Sequence, residues 1–286
     1  MPSASDHMPT TAALRLKIER ALEHRFPAAL TPVPRAIYEM AKTGIAAVDE
    51  MLHGGLPVGA ISELTGATSS GRTSLALQFV AQRTTEARPC AWVDVNDAFD
   101  PESAAANGVR LKQLLWMRCW DEAARAPAVS ADASGTNKRQ MSITWAWGNP
   151  RRTSWTQLDQ GLRATDLLLQ AGGFAAIVLD LGDTAPEQAI RIPLATWFRY
   201  RQAAERMQCS LVVLGRRSYA HSAATVVLEC SAEHVELAGC TVLRGFAFAV
   251  RRGKERSAPV EITTRKPVAA TWQANAAWDA DVGRRA

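Results

Sequence analysis

The chain has 286 residues, of which 47% are hydrophobic, so its composition predicts a folded domain with a sizeable core and excludes a globally disordered protein. Its formal charge of +5 suits contact with a polyanion but does not establish it, since many proteins are mildly basic. The five cysteines form no C-x-x-C pair, which argues against a disulfide framework or a zinc site and favours buried, reduced thiols.

Membrane and export signals are not found in the sequence. No apolar stretch reaches the roughly 18 residues that a membrane span needs. The first residues lack a charged region followed by an apolar run, so no export signal is predicted. We therefore expect a cytoplasmic, nucleoid-associated protein.

The first 42 residues are predicted to form a tail, an amphipathic helix and a linker. Within residues 12–26, the apolar residues Leu14, Ile18, Leu22 and Phe26 recur every fourth position, as on one face of a helix. Prolines in residues 27–34 end this helix. Its apolar face either packs on its own domain or docks on another protomer or partner, and the pattern leaves both open.

From residue 43 the pattern changes to strands that alternate with helices, which predicts an α/β core with a mostly parallel sheet and helices on both faces. Short alternating segments near the end predict an antiparallel extension, and residues 269–286 are expected to be a partly disordered tail. The predicted core spans residues 43–268, with a flexible insertion at 123–140. The predicted strands are 60–64, 90–95, 174–179, 210–214, 226–229, 247–251 and 260–264, and the helices are 74–83, 155–171 and 194–207.

Residues 66–73 have the spacing of a P-loop, G-x-x-x-x-G-[K]-[ST], with arginine in place of lysine. The glycines let successive N–H groups point into one concavity, and the following helix adds the positive end of its dipole. The Thr73 hydroxyl is placed to bind Mg²⁺, whereas the planar guanidinium of Arg72 cannot act as a compact point charge between phosphates. The predicted ATP-binding residues here are Gly66, Ser69, Ser70, Gly71, Arg72, Thr73 and Ser74.

An acidic residue closes the predicted strand 174–179. Asp180 is placed to hold a metal-bound water beside the phosphates, as in a Walker B motif. A strand-end aspartate that caps a loop is the alternative. The P-loop earlier in the chain favours the metal-binding interpretation.

Three segments resemble the RecA recombinase family: TGIAAVDEML at residues 43–52, GGLPVGAISE at 54–63 and CAWVDVNDAFDP at 90–101. The resemblance implies a RecA-like P-loop NTPase core, with Asp100 as an adenine contact. It places Asn96 at the position of the general-base glutamate and Arg216 at that of the γ-phosphate-sensing glutamine. An amide cannot accept a proton from the attacking water, so the resemblance implies impaired ATP hydrolysis.

This sequence combines a RecA-like segment, substitutions at the ATPase positions and a predicted N-terminal helix. In these features it is similar to the ImuA (SulA-like) proteins of bacterial mutagenesis cassettes. That resemblance implies an accessory role in SOS-induced translesion synthesis. The implied partners are an ImuB-like Y-family polymerase subunit, an error-prone replicative-type polymerase and RecA.

Two basic regions are candidate nucleic-acid contacts. The first contains Arg251, Arg252, Lys254 and Arg256, which either contact phosphates or form a solvated hairpin. In the second, Lys138, Arg139, Arg151 and Arg152 surround Trp145, Trp147 and Trp155, which either stack on single-stranded DNA or belong to the core.

Three functions follow from these patterns. The first is an accessory scaffold that binds ATP–Mg²⁺ and hydrolyses it slowly. The second is a DNA-dependent ATPase or recombinase, which the P-loop and Asp180 favour. The third is a regulatory binding protein that uses no nucleotide.

Overall fold

A computed structural model describes residues 38–120, 156–238, 242–255 and 269–275. The predicted N-terminal helix, the insertion at 123–140, Trp145, Trp147, Trp155 and the strand 260–264 lie outside these ranges. No helix in the described ranges is long and apolar enough to cross a membrane.

The described residues form an α/β fold, as the strand–helix alternation predicts. The strands are β1 (Met40–Ala41), β2 (Leu56–Pro57), β3 (Ile61–Thr65), β4 (Cys90–Asp94), β5 (Leu114–Arg118), β6 (Ala176–Asp180), β7 (Ser210–Gly215), β8 (Val226–Ala238), β9 (Val242–Glu255) and β10 (Ala269–Asn275). The helices are α1 (Ala46–Leu52), α2 (Arg72–Thr85), α3 (Pro101–Ala106), α4 (Gln157–Ala171), α5 (Pro186–Ala189) and α6 (Leu194–Met207), with a 3₁₀ turn at Leu111–Gln113.

Eight strands form one sheet in the order β10-β9-β8-β3-β7-β6-β4-β5. From β8 to β5 all neighbouring strands are parallel, whereas β9 and β10 are antiparallel to their neighbours. The fold class and the antiparallel extension are therefore confirmed. Because β3, β7 and β6 are parallel neighbours, the loops that follow them meet at one edge of the sheet.

Two apolar clusters cover the two faces of the sheet. One contains α1 and α2 residues such as Met51 and Phe79, together with Trp272 of β10. The other contains residues of α4 and α6, including Leu169 and Trp197. The helix α4 begins with a capping box in which the Thr156 side chain accepts from the backbone of Asp159.

Three of the predicted boundaries differ from the structure. The strand predicted at 226–229 continues to Ala238, and β9 is longer than the predicted 247–251. The predicted tail begins with β10, which pairs with β9 and buries Trp272, so the sheet continues past residue 268. The sequence AATWQAN does not predict a strand, because it consists mostly of small and polar residues and Trp272 is its only large buried side chain.

Four cysteines lie in the described ranges, and all four are buried and free. The described residues contain no group of three or more His, Cys, Asp or Glu side chains that could hold a metal ion. Burial raises the pKa of the Cys90 thiol to about 12, which keeps it protonated and unreactive near neutral pH. These thiols are therefore part of the core, as their spacing predicts.

The role of β10 can be tested by truncating its buried side chain. Trp272→Ala should lower the free energy of unfolding by about 3 kcal/mol or more, because it opens a cavity beside Phe248. Gln273→Ala, on the exposed face of the same strand, is the control and should change stability little. Equal stability of the two variants in urea denaturation would show that β10 is not part of the cooperative fold.

Candidate functional site

The loop between β3 and α2 forms a cradle at the edge of the sheet. The Gly66 N–H donates to the Gly215 carbonyl at 3.1 Å, and the Ser70 N–H donates to the Ala67 carbonyl at 3.2 Å. Ser69 and Gly71 adopt left-handed backbone conformations, with φ of 63° and 85°. These turns bring the chain round to the N-terminus of α2, where free N–H groups and the helix dipole favour phosphate.

The strands β8 and β9 lie so close to the P-loop that they leave no room for a side chain at either of its glycines. A Cβ atom on Gly71 would lie 2.6 Å from the Phe248 ring, and one on Gly66 would lie 2.5 Å from the Cys230 carbonyl oxygen. Real Cβ atoms do not approach other atoms so closely. The cradle is therefore tightly packed against β8 and β9, and its backbone conformation is fixed by the sheet beside it.

A cleft of about 390 Å³ opens above this cradle. It is bounded by the P-loop and the start of α2, by the loop after β6, and by β9. Its lining residues are Thr68, Ser69, Ser70, Gly71, Arg72, Thr73, Ser74, Ala98, Asp180, Gly182, Asp183, Phe246 and Phe248. The predicted P-loop residues 69–74 and the predicted Walker B aspartate thus line the same cleft.

Arg72 is directed inward and held by backbone carbonyl groups. Its side chain is buried, with 6% of the residue exposed. Nη1 donates to the carbonyls of Gly66 and, at 3.0 Å, Ala67, while Nη2 donates to the Gly182 carbonyl at 3.1 Å. Two of its three nitrogens are therefore bonded to the protein, and Arg72 ties the P-loop to the loop after β6.

Two buried polar atoms of the cradle have no hydrogen-bond partner among the described residues. They are Oγ of Ser70, a residue only 3% exposed, and Nε of Arg72. Burying a hydroxyl without a partner costs free energy. Both residues line the cleft, although these two atoms themselves are enclosed by the protein.

Asp180 lies at the end of β6, next to Arg72. A Cβ atom on Gly182 would lie 2.7 Å from Arg72 Nη2 and 3.0 Å from Asp180 Oδ1, so the two side chains flank this glycine. The Gly182 N–H donates to Asp180 Oδ1 at 2.9 Å. Burial raises the pKa of Asp180 to about 6, the negative charges of Asp94 and Asp183 add to this, and the Gly182 N–H and Arg72 oppose it.

The position of the general base contains an amide that is bound outside the cleft. Asn96 Nδ2 donates to Thr184 Oγ1 at 3.0 Å, and Asn96 is not among the residues that line the cleft. The neighbouring Asp97 forms a two-pronged ion pair with Arg118, with both N–O distances at 2.7 Å. Neither side chain is therefore directed at the phosphate cradle.

Asp100, the predicted adenine contact, is the N-cap of α3. Its carboxylate accepts from the N–H groups of Glu102 and Ser103, at 3.2 and 3.1 Å, and from the Ser103 hydroxyl at 2.5 Å. It is exposed and does not line the cleft. The Asp-Pro-Glu-Ser sequence gives this aspartate a structural role as a helix cap, and the adenine contact stays a prediction.

Arg216, Arg251 and Arg252 are not among the described residues that line the cleft. Arg216 is exposed in the turn after β7. Arg251 bonds to Glu229 at 2.7 Å, and Arg252 follows it on β9, so the two point to opposite faces of the strand. Lys254 is also on β9, and Arg256 lies outside the described residues. The structure thus does not gather Arg251 and Arg252 into one patch.

Six residues that line the cleft are absent from the sequence prediction: Thr68, Ala98, Gly182, Asp183, Phe246 and Phe248. Asp183 follows the Walker B strand, and a second acid three residues after Asp180 was the available signal. Phe246 and Phe248 come from β9, where the F-A-F alternation places both rings on one face. Their approach to the P-loop depends on strand order, which the sequence pattern does not contain.

The buried charge of Asp180 predicts a stability effect that depends on pH. Above pH 6 the wild type keeps an ionised carboxylate away from water, so Asp180→Asn should raise the free energy of unfolding by on the order of 2–3 kcal/mol. As pH falls from 6 towards 4, the folded wild type takes up a proton and this advantage should shrink. Urea denaturation at pH 7.5 and 4.5 in EDTA measures it. Asp183→Asn, an exposed carboxylate of the same cleft, is the control, and an advantage independent of pH would contradict the assignment.

The hydrogen bonds of Arg72 predict that its substitution lowers the thermal stability of the protein and raises its affinity for tripolyphosphate. In Arg72→Lys the ammonium cannot reach both the P-loop carbonyls and Gly182, so the thermal midpoint should fall. The freed charge should tighten tripolyphosphate binding by about tenfold, the value of one hydrogen bond to a charged group. Calorimetric titration and thermal denaturation measure the two effects. Arg83→Lys, a buried arginine of α2 that is paired with Glu86, is the matched control, and weaker binding by Arg72→Lys would contradict the prediction.

The part of the chain that contains the P-loop is similar in sequence to known proteins. A family model described as the RecA N-terminal domain matches residues 18–127. Protein RecA from Marinobacter nauticus is 41% identical over 83 residues, which are 29% of this chain and only 24% of that protein's length. The crystal structure of the RadB recombinase superposes with a TM-score of 0.49 and 14% identity, over 82% of this chain and 94% of that one. Residues 18–127 are therefore similar in sequence to the RecA N-terminal domain.

Proposed function

We propose that this protein is a RecA-like accessory factor of DNA-damage tolerance, which binds ATP–Mg²⁺, hydrolyses it slowly and serves as a scaffold in SOS mutagenesis and translesion synthesis. One observation carries the proposal. A complete phosphate cradle lies beside a general-base position that contains an amide, and that amide is bonded to Thr184 outside the cleft.

The residues of the cleft fit a nucleotide with its metal ion. The P-loop N–H groups and the start of α2 would hold phosphate oxygens. Thr73 and Asp180 line the cleft and offer the oxygen ligands that Mg²⁺ prefers. When bound, Mg²⁺ neutralises charge on the phosphates.

Slow hydrolysis follows from the chemistry of Asn96. A carboxylate can take a proton from the attacking water, whereas an amide can only orient that water. Loss of a general base costs about 10²–10⁴-fold in rate. Arg72 adds to the effect, because its guanidinium is already bonded to three backbone carbonyls.

A protein that keeps its nucleotide bound suits a scaffold better than a motor, because the bound conformation persists. The proposed partners are an ImuB-like Y-family polymerase subunit and an error-prone replicative-type polymerase, with RecA and single-stranded DNA as further candidates. The resemblance to ImuA proteins supports this choice.

A second candidate is a DNA-dependent ATPase or recombinase of homologous recombination repair. The observation that favours it is Asp183, an exposed carboxylate in the cleft. This carboxylate lies in the loop that also contains Thr184, the partner of Asn96.

The proposal predicts ATP binding without brisk turnover, and a gain of turnover in Asn96→Glu. A glutamate restores a proton acceptor at the base position, so the rate should rise at least about tenfold. Asn96→Gln has the same length without the charge and should leave the rate unchanged. Nucleotide binding by calorimetry and phosphate release with and without single-stranded DNA measure both steps.

The same measurements separate the alternatives. Brisk wild-type turnover that DNA stimulates and Asp183→Asn removes would establish the DNA-dependent ATPase instead. Failure of the wild type to bind any nucleotide would contradict both candidates and leave a regulatory binding protein that uses no nucleotide.

A further inference from the structure

One wall of the cleft is aromatic. Phe246 and Phe248 are two residues apart on β9 and lie on the same face, with ring centroids 6.1 Å apart and an interplanar angle of 25°. Both rings line the cleft that contains the P-loop. The phosphate cradle therefore borders directly on a flat apolar surface.

The two rings have different surroundings. Phe248 is 5% exposed, contacts Trp272 with ring centroids 5.3 Å apart and packs on Gly71. These contacts make it part of the hydrophobic core. Phe246 is 42% exposed, and its neighbour across the hairpin, Val235, is exposed as well. Phe246 thus keeps a large apolar surface open at the cleft without a packing role that would require it.

The other residues of the cleft limit which ligand fits this surface. Residues 69–74 of the P-loop line the cleft with polar side chains and the start of α2, which suit phosphate. The only described side chain that reaches the cleft from the loop after β4 is Ala98, and its small size leaves space there. A molecule with both phosphates and a planar ring can contact the P-loop and Phe246 in this one cleft.

Asp100, which the family resemblance implies as a base contact, does not line the cleft, and its carboxylate accepts three hydrogen bonds from Glu102 and Ser103. Phe246 is an exposed aromatic ring that does line the cleft.

We propose that Phe246 is the stacking platform for the base of a nucleoside triphosphate whose phosphates bind the P-loop. This inference rests on the proposed nucleotide binding and adds where and how the base is held. Stacking on one ring face tolerates every base, so the site discriminates nucleotides from bare polyphosphates more strongly than it discriminates purines from one another.

The test compares ATP, GTP and inorganic tripolyphosphate as ligands of the full-length protein by calorimetric titration. Wild type should bind ATP about tenfold more tightly than tripolyphosphate, and Phe246→Ala should remove this difference while leaving tripolyphosphate affinity unchanged. Phe246→Leu, which keeps apolar bulk without a π-face, should behave like Phe246→Ala. Phe198→Ala, an exposed phenylalanine of α6 that does not line the cleft, is the matched control and should bind like wild type.

The outcomes separate this inference from the proposed function. If ATP and tripolyphosphate bind equally well, or if Phe246→Ala retains the preference for ATP, the base platform is wrong and phosphate binding at the P-loop stands. If wild type binds neither ligand, nucleotide binding itself is wrong and the platform falls with it. Because Phe246 is exposed, its truncation should leave the thermal midpoint nearly unchanged, so a lost preference is not a folding defect.

Discussion

The site depends on one buried cation. The Arg72 guanidinium donates to the carbonyls of Gly66 and Ala67 at the start of the P-loop and to Gly182 after β6. In a buried setting, a charged donor shared among carbonyls is much stronger than the same contact in water. This one side chain therefore ties the phosphate cradle to the loop that follows Asp180.

The same anchoring limits the chemistry. A cation that satisfies backbone carbonyls is not free to follow charge as it develops on a phosphoryl group, and stabilising such charge is the main task of a P-loop cation. Asp180 is constrained in a similar way, since it is buried, bonded to the Gly182 N–H and close to two other acids. Both groups are thus held by bonds within the protein.

The sequence predicts the parts of this site that follow one another in the chain, and it misses the parts that meet through the sheet. Gly71, Thr73 and Asp180 are found because strand, glycine turn and helix are adjacent in sequence, and the structure puts all three at one cleft. Phe248 is missed because its contact with Gly71 requires β9 to lie next to β8, and β8 next to β3. β10 is missed for a related reason, since its pattern is weak until β9 provides a partner for Trp272.

The acids at the end of β4 and in the loop after it have local structural roles, which a family resemblance alone does not reveal. Asp94 accepts from the N–H groups of Ala98 and Phe99 and from the Trp116 indole, which holds the loop in shape. Asp97 is paired with Arg118, and Asp100 caps α3. Asp94, Asp97 and Asp100 thus each have a local structural partner. The acids that line the cleft are Asp180, at the end of β6, and Asp183, in the loop that follows it. The carboxylates at the cleft therefore come from the edge of the sheet that Arg72 ties to the P-loop, because β6 and β3 both end there.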